Sequence, residues 1–323
     1  MLIERGVIKI GLEIEVAAWE NRNYLEVCGD LIQSDYMLGP VEQWHPHHKY
    51  HCKCQEGGCY MVGQGIIIAP DPLVVMTYDG SLPKTGAEFI TSPIIMGDQG
   101  LERLADIWNI ITAGAIWTDK LDNYHGDGKS SPSVHLHVSA TLDEKRAIRS
   151  REQVYGEDIL HALELFAPEL FVIADIPDKR RGLKYRLPLR EAMLLDPQKW
   201  HHGFIHVRTA VPEAMVYIEW RLFEANYQDF EYLESCAYLA ASLTRGFLHG
   251  EILSKLMATG YAHTYSRDAM ANAVYENDTA TVLRLVNEDR LWALRDMCVG
   301  NLDDDQRGTD FLMALFNRVE NAL

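Results

Sequence analysis

Four short stretches of this 323-residue chain put groups capable of chemistry at alternate positions. GLEIEV carries Glu13 and Glu15, GAEFITSP carries Glu88, VHLHVSA carries His135 and His137, and YIEWRLFEA carries Glu219 and Arg221. Side chains alternate faces along a strand, so each stretch sends its polar groups one way and its apolar groups the other. Leu12, Ile14 and Val16 oppose the first glutamates; Val134, Leu136 and Val138 oppose the histidines; Ile218, Trp220 and Leu222 oppose Glu219 and Arg221. Taken singly, each stretch reads as a half-exposed strand with a solvated face. If the strands are neighbours, carboxylates, two imidazoles and a guanidinium line one surface. Carboxylates that face one another repel unless a cation sits between them. Oxygen donors with a few imidazoles suit Mg²⁺ or Mn²⁺, ions that keep water and bind substrate phosphates. An arginine beside them neutralises phosphoryl oxygens. Such a set is equipped for phosphoryl transfer.

A second cluster is separate from these strands. WHPHHKYHCKCQEGGCY holds His45, His47, His48, His51, Cys52, Cys54 and Cys59, with Gly57 and Gly58 permitting a tight turn. Cys52, Cys54 and Cys59 with one histidine, His47 or His45, make a tetrahedral Zn²⁺ clip. The alternative is a reduced, exposed loop, because C-x-C-x4-C is not a standard finger spacing. HGDGKSS, residues 125 to 131, imitates the end of a phosphate-binding loop, G-x-x-x-x-G-K-S. Its first glycine would fall on Asn123, and a strand rather than a helix follows Ser131. A phosphate-binding loop needs a helix N-terminus behind its glycines, so this motif is rejected.

The elements that must position these groups are legible in outline. Residues 6 to 18 alternate as a strand, and LVVMTYDGSL and GAEFITSPII form two strands around a Pro-Lys-Thr-Gly turn. LERLADIWNIITAG has helical spacing and ends on Gly114. Residues 151 to 174 have a helical pattern, and FIHVRTA and MVYIEWRLFEA are two further strands. From Asp229 the pattern is helical almost to the end, with breaks near Gly260 and at GNLDDDQRG. Strands first and helices after predict an α+β architecture, an antiparallel or mixed sheet with helices packed on it. One domain over residues 1 to 323 is expected, with the His/Cys-rich insert at 44 to 60 and a helical portion at 229 to 323.

Composition narrows the function classes. The chain is 47% hydrophobic and 24% charged, which supports one large core or two smaller ones. No apolar run reaches the roughly 18 residues a membrane span needs. Glu4 and Arg5 interrupt the N-terminal segment where a secretory leader would be apolar, so a cytoplasmic protein is expected, with no membrane partner. Six cysteines are too few and too unevenly placed for a disulfide framework. A net charge of −17 opposes binding to phosphate backbones and makes nucleic acid a poor partner.

The order of GLEIEV, DGSL with GAEFITSP, VHLHVS and IEWRLFEA resembles the carboxylate–amine ligase superfamily that includes glutamine synthetase and glutamate–cysteine ligase. Within it, the chain is most similar to the amidoligase branch, over residues 6 to 235. The resemblance implies a curved antiparallel sheet of the glutamine-synthetase catalytic type, whose concave face holds ATP and two or three Mg²⁺ or Mn²⁺ ions. It implies that Glu13, Glu15, Glu88 and Glu219 are metal ligands, the third following the D-G-S turn at Asp79. His135 would contact metal and phosphate with His137 as its companion, and Arg221 would contact phosphate. Arg208 of HVRT and the basic residues Lys184, Arg186 and Arg190 are candidates for the remaining positive contacts; the alternative for that basic segment is a solvated loop. The implied reaction joins a small-molecule or peptide carboxylate to an amine through an acyl phosphate. Two rivals share the sheet: an inactive nucleotide- or metal-binding protein, and a phosphotransferase of the guanidino-kinase kind. The superfamily spans monomers to rings, so a homo-oligomer is compatible with the chain. The His/Cys insert is outside the resemblance.

Overall fold

The first strand shows why the sheet forms. In β1 (Val7–Val16), Ile8, Ile10, Leu12, Ile14 and Val16 occupy one face and all are buried. β-Branched side chains at alternate positions fit a pleated surface packed on a core. The other face carries Glu13 and Glu15, and these are buried as well. The strand is therefore covered on both sides from Ile10 onward, unlike the half-solvated strand that alternation alone predicts.

The structure, a computed structural model, describes residues 7–16, 18–19, 38–40, 64–70, 73–77, 87–91, 93–116, 134–141, 163–175, 205–208, 216–222, 230–248, 265–276, 278–302 and 305–323. Besides β1, the strands are β2 (Ala18–Trp19), β3 (Leu38–Pro40), β4 (Gln64–Pro70), β5 (Leu73–Thr77), β6 (Ala87–Thr91), β7 (Ile94–Ile95), β8 (Ala115–Ile116), β9 (Val134–Thr141), β10 (Ile205–Arg208) and β11 (Val216–Trp220). Nine form one open sheet in the order β10-β11-β9-β1-β6-β5-β4-β3, with β7 on β1; β2 and β8 pair separately. The pairs β10/β11, β11/β9, β1/β6, β6/β5, β5/β4 and β4/β3 are antiparallel. The α+β class expected from the sequence is what the chain adopts.

The helices are α1 (Asp98–Gly114), α2 (Ala167–Asp175), α3 (Phe230–Leu248), α4 (Arg267–Glu276), α5 (Thr279–Leu285), α6 (Glu288–Gly300) and α7 (Gln306–Ala322). In α1, Leu101, Leu104, Ile107, Trp108 and Ile111 make the buried stripe that helical spacing predicts. Gly97 precedes it at φ 150°, a backbone conformation that only glycine adopts readily. α3 packs on β11, α6 and α7, and buries Tyr232, Leu233, Cys236, Leu239 and Leu243. α7 comes close to α3 at Gly308, where a Cβ would stand 2.6 Å from the Tyr238 ring. Asp278, Asn287 and Asp305 cap α5, α6 and α7, each accepting a hydrogen bond from a backbone N–H three residues on.

Of the helix expected over 151 to 174, the described part is a helical turn at 163–165 and then α2. Pro168 explains the break. It has no N–H to give the Glu164 carbonyl four residues back, and that oxygen instead accepts the Tyr265 hydroxyl. The chain clusters into two compact units, Gly11–His135 and Met1–Ile10 with Leu136–Leu323. The first unit holds α1, the second holds α2 to α7, and the division falls inside β1 and β9. Among the described residues no helix is long and apolar enough to cross a membrane.

Candidate metal centre

Strand register decides which polar groups share a face. On β1 and β6, Glu15 stands opposite Glu88 and Glu13 opposite Ile90. On β9 and β11, His137 stands opposite Glu219, while Leu136 pairs with Trp220 and Val138 with Ile218 on the core side. The core side is dry: Ile14, Leu136, Val138, Ile218 and Trp220 are fully buried. On the other side Glu13, His135, His137 and Glu219 form a group whose ligand atoms all lie within 4.8 Å of one another.

All four side chains are withdrawn from water, from 8% exposure at His135 to 1% at Glu219. His135 Nδ1 is 3.4 Å from Glu13 Oε2. Two atoms bound to one ion at about 2.1 Å stand roughly 3.0–3.5 Å apart at tetrahedral to octahedral angles. Glu219 Oε1 accepts a 2.6 Å hydrogen bond from Arg221 Nε, a charge-assisted contact that fixes that oxygen. β11 ends at Trp220, so Arg221 stands just past the strand rather than within it.

The donor set fits a divalent cation. Two carboxylates and two imidazoles supply four ligand atoms, and the carboxylates supply the negative charge that balances the ion. Glu15 and Glu88 add a second buried carboxylate pair on β1 and β6; like charges directly across strands are unfavourable, and a nearby cation relieves them.

The expected residues thus divide into four groups. Glu13, His135, His137 and Glu219 are brought together, with Arg221 on Glu219. Glu15 and Glu88 pair across β1 and β6. Arg208 lies in β10, paired in register with Tyr217 of β11. Lys184, Arg186, Arg190 and Asp79, and the zinc candidates His45, His47, Cys52, Cys54 and Cys59, lie outside the described residues.

One feature escaped the sequence. A buried ion pair joins Glu169 of α2 to Arg290 of α6. Oε1 of Glu169 accepts from Arg290 Nε at 3.0 Å, from its terminal nitrogen at 2.8 Å and from the Asn287 N–H at 2.9 Å. Burial holds the Glu169 carboxyl above the ordinary carboxylate range despite the Arg290 contact. The residues lie 121 positions apart, and no spacing rule finds such a pair.

No protein-family model matches the chain, and no curated protein matches it.

Proposed function

We propose that the chain is an ATP-dependent carboxylate–amine ligase of the glutamine-synthetase and amidoligase kind, a cytoplasmic enzyme working on the polar face of its sheet. The observation that carries this reading is the buried Glu13, His135, His137 and Glu219 group with Arg221 hydrogen-bonded to Glu219. The sheet adds support, because β6, β1, β9 and β11, which carry the four motifs, are consecutive neighbours.

The chemistry divides into two transfers. A carboxylate oxygen of one substrate attacks the γ-phosphorus of ATP, the bond to the bridging oxygen breaks, and ADP leaves an acyl phosphate behind. An amine then attacks the acyl carbon, phosphate departs with the bonding pair, the amine loses a proton, and an amide remains. Glu13, Glu219, His135 and His137 would hold Mg²⁺ or Mn²⁺, which when bound neutralises phosphate oxygens and stabilises charge developing on them. Arg221, held by Glu219, supplies a fixed positive charge at the same place. Burial of the group excludes water, which would otherwise hydrolyse the acyl phosphate.

Calorimetric titration of ATP with Mg²⁺ or Mn²⁺, repeated in EDTA, tests the reading, followed by a phosphate-release screen over carboxylate and amine pools. Metal-dependent nucleotide binding with phosphate release that needs both substrates is expected, and Glu219→Gln removes it. ATP consumption without phosphate release would identify a phosphotransferase, and absence of nucleotide binding would leave an inactive member of the fold; either overturns the proposal.

A further inference from the structure

The pairing of β1 with β6 runs from Val16 to Glu13, which stands opposite Ile90. The residue before it, Leu12, gives its backbone N–H to the Thr91 hydroxyl oxygen at 2.8 Å. Thr91 is the last residue of β6; Pro93, two positions on, has no N–H to give, and β7 then pairs with β1. A side-chain oxygen thus adds a rung beyond the Glu13–Ile90 pair, where β6 ends. From this contact we propose that Thr91 is a positioning residue for the metal-binding face: its hydroxyl holds the β1 backbone at the residue before Glu13, and so sets where the Glu13 carboxylate stands against His135. The inference rests on the reading of Glu13 and His135 as metal ligands and adds to it a residue that is not itself a ligand. Leu12, Glu13, Thr91 and His135 all belong to the unit Gly11–His135.

Packing does not explain a hydroxyl at this position. By alternation Thr91 shares the core face of β6 with Phe89, away from Glu88. Thr91 pairs with Val74 of β5, Phe89 pairs with Met76 and Ile14, and all of these side chains are buried. Valine would fill the same space with no polar atom to withdraw from water. What the hydroxyl adds is an acceptor for the N–H of Leu12, itself a buried residue, and losing a buried acceptor is costly. Position matters at the next residue because metal sites are narrow. Ligand atoms keep their distance to an ion within about 0.2 Å. Glu13 Oε2 stands 3.4 Å from His135 Nδ1, a separation one ion can span. A shift of the strand at Leu12 is carried directly to Glu13.

The test uses the full chain and Mn²⁺ alone. Binding is followed by the electron paramagnetic resonance signal of the free ion, at a temperature where each variant keeps the wild-type circular dichroism spectrum. Thr91→Val and Thr91→Ala remove the acceptor, and Thr91→Ser keeps it. Val74→Ala loosens the packing beside Thr91 and leaves the hydroxyl in place. The expected result is that both acceptor-free variants weaken Mn²⁺ by about 10-fold or more, the scale of losing an outer partner of a metal site, while Thr91→Ser and Val74→Ala stay within about twofold of the wild type. Val74→Ala should nevertheless melt earlier, which separates stability from affinity. If the acceptor-free variants bind Mn²⁺ like the wild type, or if Thr91→Ser or Val74→Ala weakens it as much as they do, the inference is overturned and the metal site stands. If the wild type binds no Mn²⁺, the reading of Glu13 and His135 as ligands falls, and the inference with it.

Discussion

Replacing Glu169 separates two effects that its geometry sets against each other. Glu169 and Arg290 are both buried, and one carboxylate oxygen accepts three hydrogen bonds, two from the guanidinium and one from the Asn287 N–H. Arg290 also gives a 2.7 Å hydrogen bond to the Leu285 carbonyl, and its guanidinium carbon lies 5.2 Å from the centre of the Tyr265 ring. Removing one partner of a buried ion pair costs about 3–5 kcal/mol, because the other charge stays in a dry site. Glu169→Ala removes every acceptor at once, so we expect a loss in that range. Glu169→Gln keeps an oxygen acceptor and discards only the charge. The loss for Gln should therefore be smaller than that for Ala by about 0.5–1.5 kcal/mol, the net worth of an ordinary hydrogen bond. The assay is urea unfolding at neutral pH, compared at equal slope. The pH dependence has a fixed sign. The folded carboxyl binds its proton more tightly than the unfolded one, so this residue's contribution to stability falls as pH rises from the unfolded value of 4.5 through the raised folded value, and is level above it. Glu169→Gln should abolish that component. Equal losses for Gln and Ala would refute the reasoning, since the charge and not the acceptor would then be what Arg290 requires.

Glu88→Gln removes one of two carboxylates directly opposed on β1 and β6, and should raise the metal-free Tm by the equivalent of about 0.2–1 kcal/mol while reducing the Tm gain on adding Mn²⁺; differential scanning fluorimetry with and without metal reads both. Gly308→Ala places a methyl against the Tyr238 ring where α7 meets α3, and should cost about 1–3 kcal/mol by urea unfolding. Cys54→Ser should lower the zinc content of the purified protein and its melting temperature while leaving nucleotide affinity unchanged; unaltered zinc by elemental analysis would favour the reduced loop.

The sheet was legible because its strands announce themselves by alternation. Leu12, Ile14, Leu136, Val138, Ile218 and Trp220 were assigned to one face by spacing alone, and all are buried on it. Spacing could not say whether the opposite face met water. Alternating glutamates look the same on a solvated sheet as beneath a cover, and only burial of Glu13, His137 and Glu219 separates the two. Register was equally silent, because a slip of one residue would move every polar side chain to the other face. The placement of Glu219 between His137 and His206 depends on pairings that no local pattern encodes. α1 was legible through its stripe of Leu101, Leu104, Trp108 and Ile111. The Glu169–Arg290 pair was not, since its partners meet only after α2 and α6 have packed.

That burial also bears on why the polar face exists. Withdrawing a carboxylate from water costs several kcal/mol unless charge and hydrogen bonds compensate. On β6, β1, β9 and β11 the sheet buries Glu88, Glu15, Glu13 and Glu219 on one side, where Arg221 hydrogen-bonds Glu219. The apolar side is complete without them: Ile10, Ile14, Leu136, Val138, Ile218 and Trp220 already form a dry core. A sheet shaped by stability alone would carry neutral side chains at these four positions. Retaining carboxylates there makes sense if a cation is a regular occupant, because it converts their mutual repulsion into a binding energy that the metal-free fold forgoes. Stability and metal affinity should consequently move in opposite directions when a glutamate of this face is neutralised, whereas a loss of both together would mean that the carboxylates hold the sheet rather than an ion.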